Sequence, residues 1–473
     1  MDSDENPLEF AQDGTPWGVR EVLGKMVINT YKKALKAFDT EFKFQISVIV
    51  DEILKEVRPF SVYLIGSFGR NEGSLYLSEG EVSPLRDYDI LIVVNEYIED
   101  SVISRITRSI HKRLGLSDPY SKIFKFKGFT VWITQVTLND INVLPMLKFY
   151  ELKKASKLLW GDDIRDGIHI TLEDISPYNC ILILFSKVEG LLGLLDIDAL
   201  RKRSDEPEKV VDFVYECLKT YVEVGTCLSL LANVYEPSFL QRCVKLSRNF
   251  SALFPDLEKM CKALPSVMVT YAYRRLLIDD SFLNNLDLMK LLEGTLNNLS
   301  IVIWYYVRKT YKIYTACPPT SPYAFDSYVK KLNTKPLESL FDHYIKAKLG
   351  FRSKVVRELA IRLYLRYTLL RFMVKGRQAG YRIKPSIVFA RNGNIMMRLW
   401  SLGFFLLNSI KDDFEINESM LHAVSNRLCE IIDFNYIQRA RTLKETPELS
   451  FSQLQKTIVD LLDIADKIFH RKG

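Results

Sequence analysis

Two short apolar runs, "SVYLI" (61–65) and "DILIVV" (89–94), stand between stretches whose apolar residues recur at the helical period. Both are rich in β-branched residues. Gly66 ends the first, and Asp87-Tyr88-Asp89 opens the second. A third run of this kind is "FTVWITQVTL" (129–138). Residues 17–58 have few breakers and read as a helix. So does "IEDSVISRITRSIHKRLGL" (98–116), where Asp100 or Ser101 can cap the start. The tract "NDINVLPMLKFYELKKASKLLWGDDIRD" reads as a helix and a turn. Strands this short, alternating with helices, predict a small mixed sheet with helices packed on it.

Beyond about residue 170 the pattern becomes helical, over roughly 177–200, 207–233, 239–264, 281–313, 336–376, 395–411, 417–440 and 451–470. "LRKRSDEPEKV" reads as a connection, and "KGRQAGYRIKPSIVFARNGN" (375–394) as a long loop or hairpin. "TACPPTSPYAFDSYVKKLNTKP" (315–336), with four prolines, reads as a domain boundary. The expected class is α+β. Residues 1–16 form a flexible acidic tail, 17–170 the sheet-bearing domain, 171–314 a helical domain and 337–473 a helical basic domain.

At 473 residues and 48% hydrophobic composition, the chain has material for two to four packed domains. It contains no run of about 18 uncharged apolar residues, which argues against a membrane span. The start, "MDSDENPLEF", is acidic and unlike the basic region of a secretion signal. The seven cysteines form no CxxC pair and lie among apolar segments. Free buried thiols in a reducing cytoplasm are the expectation, and neither a zinc site nor a histidine-based metal site is expected.

The stretch between the first two strands carries the chemistry. A strand that ends in Gly-Ser and turns into a helix leaves backbone N–H groups and a hydroxyl facing outward, an arrangement suited to phosphate. Asp87 and Asp89, two residues apart on a strand, present their carboxylates on one face. Two such charges repel unless a cation neutralises them, and Mg²⁺ does so while keeping positions for water and substrate phosphates. Taken alone, the first feature is also an ordinary tight turn and the second an ordinary pair of solvated acids. Together they are the two halves of a metal-dependent phosphoryl or nucleotidyl transfer site.

"YLIGSFGRNEG" followed by "DYDILIV" resembles the nucleotidyltransferase superfamily of DNA polymerase β-like enzymes, with its apolar strand, Gly-Ser, spacer and Asp-x-Asp. The Gly-Ser-x-x-Arg-x-x-Gly form is similar to that of many prokaryotic members. "LKFYELKKASKLLWGDD" (147–163) looks like the end of such domains, so the resemblance covers about 60–165. It implies an NTP substrate. Gly66 and Ser67 would hold the β- and γ-phosphates, and Asp87 and Asp89 would be catalytic and bind Mg²⁺, with Mn²⁺ as an alternative. Arg70 would touch phosphate or brace the loop through Glu72 or Glu81. The spacer is longer than usual, with "SLYLSEGEVSP" read as an inserted loop. Members of the family usually carry a third carboxylate on a later strand, yet "TVWITQV" (130–136) has none. Gln135 or Thr134 could face the site, though neither is a base. Either Asp140 or another acid serves, or the strand lies elsewhere, or the site binds nucleotide without turning it over.

Formal charge is +7, unevenly spread. From His343 to Trp400 there are fourteen Lys or Arg against one acid, Glu358, so the rest of the chain is net acidic. On a helix over 353–377, Val356, Leu359, Leu363, Leu370 and Val374 share the stripe expected to face the core. Arg357, Arg371 and Lys375 share a second, with Arg362 and Arg366 on a third. These five cations either pair with acids or form a basic wall for a polyanion, nucleic acid included. Three functions follow: an NTP-dependent nucleotidyltransferase with an acceptor among protein, RNA, sugar or small molecule; a silent nucleotide- or RNA-binding protein of the same fold; or pairing with a helical RNase. The third is disfavoured, because the only Arg–His spacing of the required kind, Arg105 to His111, falls inside the sheet-bearing domain.

Overall fold

The computed structural model describes residues 17–117, 129–143, 146–203, 207–313, 332, 367–379, 381, 383–384, 395–410, 414–428, 431 and 450–469. The expected tail at 1–16 and most of the connection at 315–336 lie outside them. In chain order the principal elements are α1 (Trp17–Glu56), β1 (Ser61–Ile65), β2 (Leu75–Ser78), β3 (Glu81–Pro84), β4 (Asp87–Val94), α2 (Asp100–Arg113), β5 (Thr130–Thr137), α3 (Leu138–Val143), α4 (Leu147–Ala155) and β6 (Lys157–Gly161). They continue with α5 (Tyr178–Leu194), α6 (Pro207–Leu231), α7 (Phe239–Leu253), α8 (Leu264–Leu276), β7 (Leu277–Asp279), α9 (Leu288–Tyr311), α10 (Ile395–Leu407), α11 (Glu418–Leu428) and α12 (Phe451–Phe469). The protein is mixed α+β and mostly helical, with two small sheets.

Two compact bodies interleave along the chain: Met1–Ile175 with Glu206–Asp287, and Ser176–Asp205 with Leu288–Gly473. The expected helical domain 171–314 is therefore divided between them. In the first body, the sheet order is β5-β4-β1-β6, with β4 parallel to β5 and antiparallel to β1, and β1 antiparallel to β6. Period two sorts its side chains. On one face, Tyr63, Leu91, Val93 and Val136 build a core with Ile141, Phe149, Leu152, Ile168 and Ile170. On the other, Tyr88 is fully buried. Its hydroxyl donates to Gln45 of α1 at 2.7 Å, and its ring meets Phe68 edge-on at 4.7 Å. Burying Tyr88 on that back face fixes Asp87 and Asp89 on the front, since a one-residue slip would exchange them.

The structure departs from expectation in three places. "SLYLSEGEVSP" is a β-hairpin rather than a loop. Glu79 and Gly80 form its two-residue turn, both with positive φ (51° and 85°), as a type I′ turn requires. Its strand β2 pairs in parallel with β7, about two hundred residues later in the chain, in a second sheet of order β3-β2-β7. "KLLWG" is strand β6, not a turn, because it finds β1 as partner. The expected helix 239–264 breaks at Phe254 and Cys261, and α8 starts with a proline in its first turn.

Glu72 ties the Gly-Ser segment to the helices. Its carboxylate accepts from the Ser238 hydroxyl at 2.6 Å and from the Phe239 and Leu240 N–H groups at 2.9 and 3.2 Å, capping α7. Glu72→Ala leaves those donors unpaired, and about 2–3 kcal/mol of stability should be lost in urea unfolding. A loss under about 0.5 kcal/mol would show that the cap contributes little.

In the second body, Phe185 of α5 stacks on Trp400 of α10 at 5.2 Å. Gln455 of α12 donates to the Leu192 and Leu195 carbonyls, both at 2.6 Å. Residues 367–378 are helical there, but the predicted core stripe is rotated. Thr368, Leu369 and Phe372 are buried, while Leu370 and Val374 are about half exposed. The five described cysteines are free and buried, as expected, and burial pushes the Cys243 thiol up to about 12, far from reactive. Cys317 and Cys429 lie outside the described residues. No described helix is long and apolar enough to cross a membrane.

Candidate functional site

Strand β1 ends at Ile65, whose register partner on β4 is Asp89. The next residue, Gly66, therefore turns directly against the carboxylate. Its φ is +66°, and a Cβ added there would lie 2.1 Å from Asp89 Oδ2. Glycine is needed twice over, for the left-handed backbone and for the space. Ser67 follows in a single helical turn, Gly66–Gly69, with its side chain partly exposed.

Asp87 and Asp89 are both partly exposed on the front face of β4, an interior strand of its sheet. Burial raises the Asp87 pKa, opposed by Lys219 and Arg86. Burial, and then the neighbouring Asp87, push the Asp89 carboxyl up to about 6, opposed by Lys219 and Arg70. Arg86, just before the pair, also has positive φ (69°), rare for so bulky a residue. Its guanidinium holds Asp212 of α6, 3.2 Å from the carbonyl and 3.4 Å from the carboxylate.

Lys219 is the main cation missed from the sequence. Burial works against its ammonium, but Glu216 and then Tyr215 hold its pKa above the usual lysine value. The signal was available. Asp212, Glu216, Lys219 and Glu223 fall at i, i+4, i+7 and i+11 on α6, a single polar stripe along a helix that is otherwise largely buried and apolar.

Strand β5 lies beside the pair, with Thr130 opposite Asp87, Trp132 opposite Asp89 and Thr134 opposite Leu91. No acid stands on that face of β5. Trp132 is 48% exposed, and its indole N–H lies near enough to Asp87 to favour the ionised carboxylate. Gln135, one of the two residues expected to face the site, points to the back, where its amide exchanges two 2.7 Å hydrogen bonds with the Ile98 backbone. Thr134 stays on the front. Asp140 is bound elsewhere, accepting from Tyr97 at 2.7 Å and Thr137 at 2.8 Å. Thr137 is five residues along the strand from Trp132, about 16 Å. Asp140 is thus no third carboxylate.

Arg70 braces the loop. It donates to Glu151 of α4 at 3.0 Å and lies 3.8 Å from Glu72. Glu151 also accepts from the Tyr235 hydroxyl. Glu81, the other partner considered for Arg70, is exposed at the tip of the hairpin. Of the basic-region candidates, Arg357, Arg362 and Arg366 lie outside the described residues. Arg371 stacks over Tyr367 at 5.8 Å and Lys375 is exposed, both in the second body, whereas the Asp pair belongs to the first.

Among the described residues no group of three or more His, Cys, Asp or Glu could hold a metal. Two carboxylates are nonetheless what a phosphate-bound Mg²⁺ needs from protein. Burial raises both pKa values, and for Asp89 the neighbouring Asp87 adds to it, so a cation bound between them would favour the ionised pair. No protein-family model, curated protein or solved structure matches this chain.

Proposed function

We propose that the sheet-bearing body is a metal-dependent nucleotide site of the nucleotidyltransferase kind. More particularly, the chain moves a nucleoside monophosphate from an NTP to an acceptor selected outside this site. The single observation that carries the reading is the contact of Gly66 with Asp89, which puts the Gly-Ser turn and the paired carboxylates at one point. Asp87 and Asp89 would hold Mg²⁺, or Mn²⁺, which neutralises charge on the phosphates when bound. The Gly66 backbone and the Ser67 hydroxyl would hold the β- and γ-phosphates, and Lys219 adds positive charge beside them. Arg70 acts on phosphate only through the loop it braces. In the transfer, an acceptor hydroxyl oxygen bonds to the α-phosphorus and releases its proton to solvent water, the bond to the oxygen bridging to the β-phosphorus breaks, and pyrophosphate leaves.

A second reading is a nucleotide- or RNA-binding protein without turnover. It is favoured by Trp132, which stands opposite Asp89 on a strand face that carries no acid. Incubation with labelled NTP, Mg²⁺ and candidate acceptors separates the two.

Calorimetry with Mg·ATP, Mg·GTP, Mg·CTP and Mg·UTP tests what they share. Burial and the neighbouring Asp87 push the Asp89 carboxyl up to about 6, so the metal-free protein holds it largely ionised at pH 7.5 and largely protonated at pH 5. Binding should therefore be about tenfold weaker at pH 5. For the metal-free fold the sign is opposite. A carboxyl with a raised pKa favours the folded state at low pH, and that contribution is lost as pH rises from about 4 through about 6. No binding to any of the four nucleotides at pH 7.5 would falsify the nucleotide site.

A further inference from the structure

Trp132 is out of character for its position. Farther along the same face of the sheet, Leu91, Val93 and Val136 are buried in the core. Trp132, in register with Asp89, keeps about half its surface in solvent. A large aromatic ring left half exposed forgoes about half of the free energy that full burial would return. Its N–H lies near enough to Asp87 to favour the ionised carboxylate. The indole faces remain unused. The result is a flat, half-exposed aromatic surface in register with the carboxylates assigned to the metal.

We propose that Trp132 is the stacking platform for the planar base of the bound nucleotide. The inference rests on the nucleotide reading of the Asp pair and adds the residue that ranks one base against another. An indole stacks any base, because every base has a π-face, and it stacks the larger purine rings with more overlap. The site should therefore bind Mg·ATP and Mg·GTP more tightly than Mg·CTP and Mg·UTP. Discrimination within each pair should be weak, since stacking reads ring area rather than hydrogen-bonding edges.

Three variants of the full chain separate stacking from any role of the indole N–H. W132F keeps an aromatic face and loses the N–H. W132H keeps an N–H and loses much of the face, and W132A loses both. Calorimetry at pH 7.5 should rank Mg·ATP affinity as wild type, then W132F, then W132H, then W132A. The last should be weaker than wild type by about tenfold to a hundredfold. The ATP-to-UTP affinity ratio should fall toward one in W132A but not in W132F. Mg·ATP should also quench indole emission in the wild type, and that quench should be lost in W132F while the other four tryptophans still emit. If W132A does not fold, the W132F quench carries the test alone. Wild-type binding with an unchanged ATP-to-UTP ratio in W132A, or an unchanged quench in W132F, overturns the stacking role and leaves the nucleotide site standing. Failure of the wild type to bind any NTP removes the site and the stacking role together.

Discussion

Replacing Asp87 and Asp89 together with asparagine should abolish Mg²⁺-dependent nucleotide binding and cut any transfer by at least about a thousandfold. The asparagines keep the shape and the front-face position that buried Tyr88 imposes, so the change is close to pure charge removal. Metal stabilisation of a phosphoryl transition state is worth several kcal/mol, and each 1.4 kcal/mol is a factor of ten. The metal-free protein should move the other way. Burial and the neighbouring carboxylate raise Asp89 to about 6, so at pH 8 its ionised form opposes the fold. The double variant should gain on the order of 1–3 kcal/mol in urea unfolding at pH 8, with little gain at pH 4 where the carboxyl is already protonated. Lys219 keeps Glu216 as its strongest opposite charge, so the substitution leaves no unpaired buried cation to confuse the result. Mg²⁺-dependent binding that survives in the double variant would sink the metal assignment. Loss of stability at pH 8 would show that Lys219 and Arg86 already neutralise the pair, leaving no deficit for a cation to fill.

The same residues show what could be read from the chain and what could not. The front-face placement of Asp87 and Asp89 needed only the period of a strand and one buried neighbour, both local, and it was legible. The Gly66–Asp89 contact was legible as proximity, because a turn after β1 must pass the strand that pairs with it. Its closeness was not, since it depends on the register Ile65↔Asp89. From sequence, residues 75–84 read as a loop although Glu79-Gly80 is an adequate two-residue turn. Its short strands gain stability from β7, far along the chain, and local patterning does not report such a partner. The division into two bodies was illegible for the same reason: Glu72, Arg86 and β2 reach forward to α7, α6 and β7. Lys219 could have been found, because charged residues recurring at helical spacing along a buried helix must face something polar. The rotation of the 367–378 stripe shows the limit of periodicity, which gives the width of a buried face better than its angle.

Gly66→Ala should damage the site more than its chemistry suggests, and Gly80→Ala provides the internal standard. Both glycines have left-handed backbones, with φ of +66° and +85°. A Cβ at Gly80 meets nothing within 4 Å, so Gly80→Ala should cost only the conformational preference, about 1 kcal/mol. A Cβ at Gly66 would lie 2.1 Å from Asp89 Oδ2 and 3.0 Å from Asp89 Cγ. Either the turn or the carboxylate must move, at an added cost of about 1–3 kcal/mol, the range found for overpacked sites. The functional loss should be larger still, because the displaced atom is one of the oxygens assigned to the metal. Displacements of about 1 Å in a preorganised site reduce rates by about a hundredfold. Gly80→Ala should leave Mg·ATP affinity unchanged, while Gly66→Ala should weaken it by at least tenfold in calorimetry at pH 7.5. Adding Asp89→Gly to Gly66→Ala removes the carboxylate that the methyl group would strike. The double variant should recover the overpacking part of the stability loss and none of the binding. Equal stability losses at positions 66 and 80, with binding intact in both, would mean that Gly66 serves only the turn, and the observation on which the functional reading rests would no longer support it.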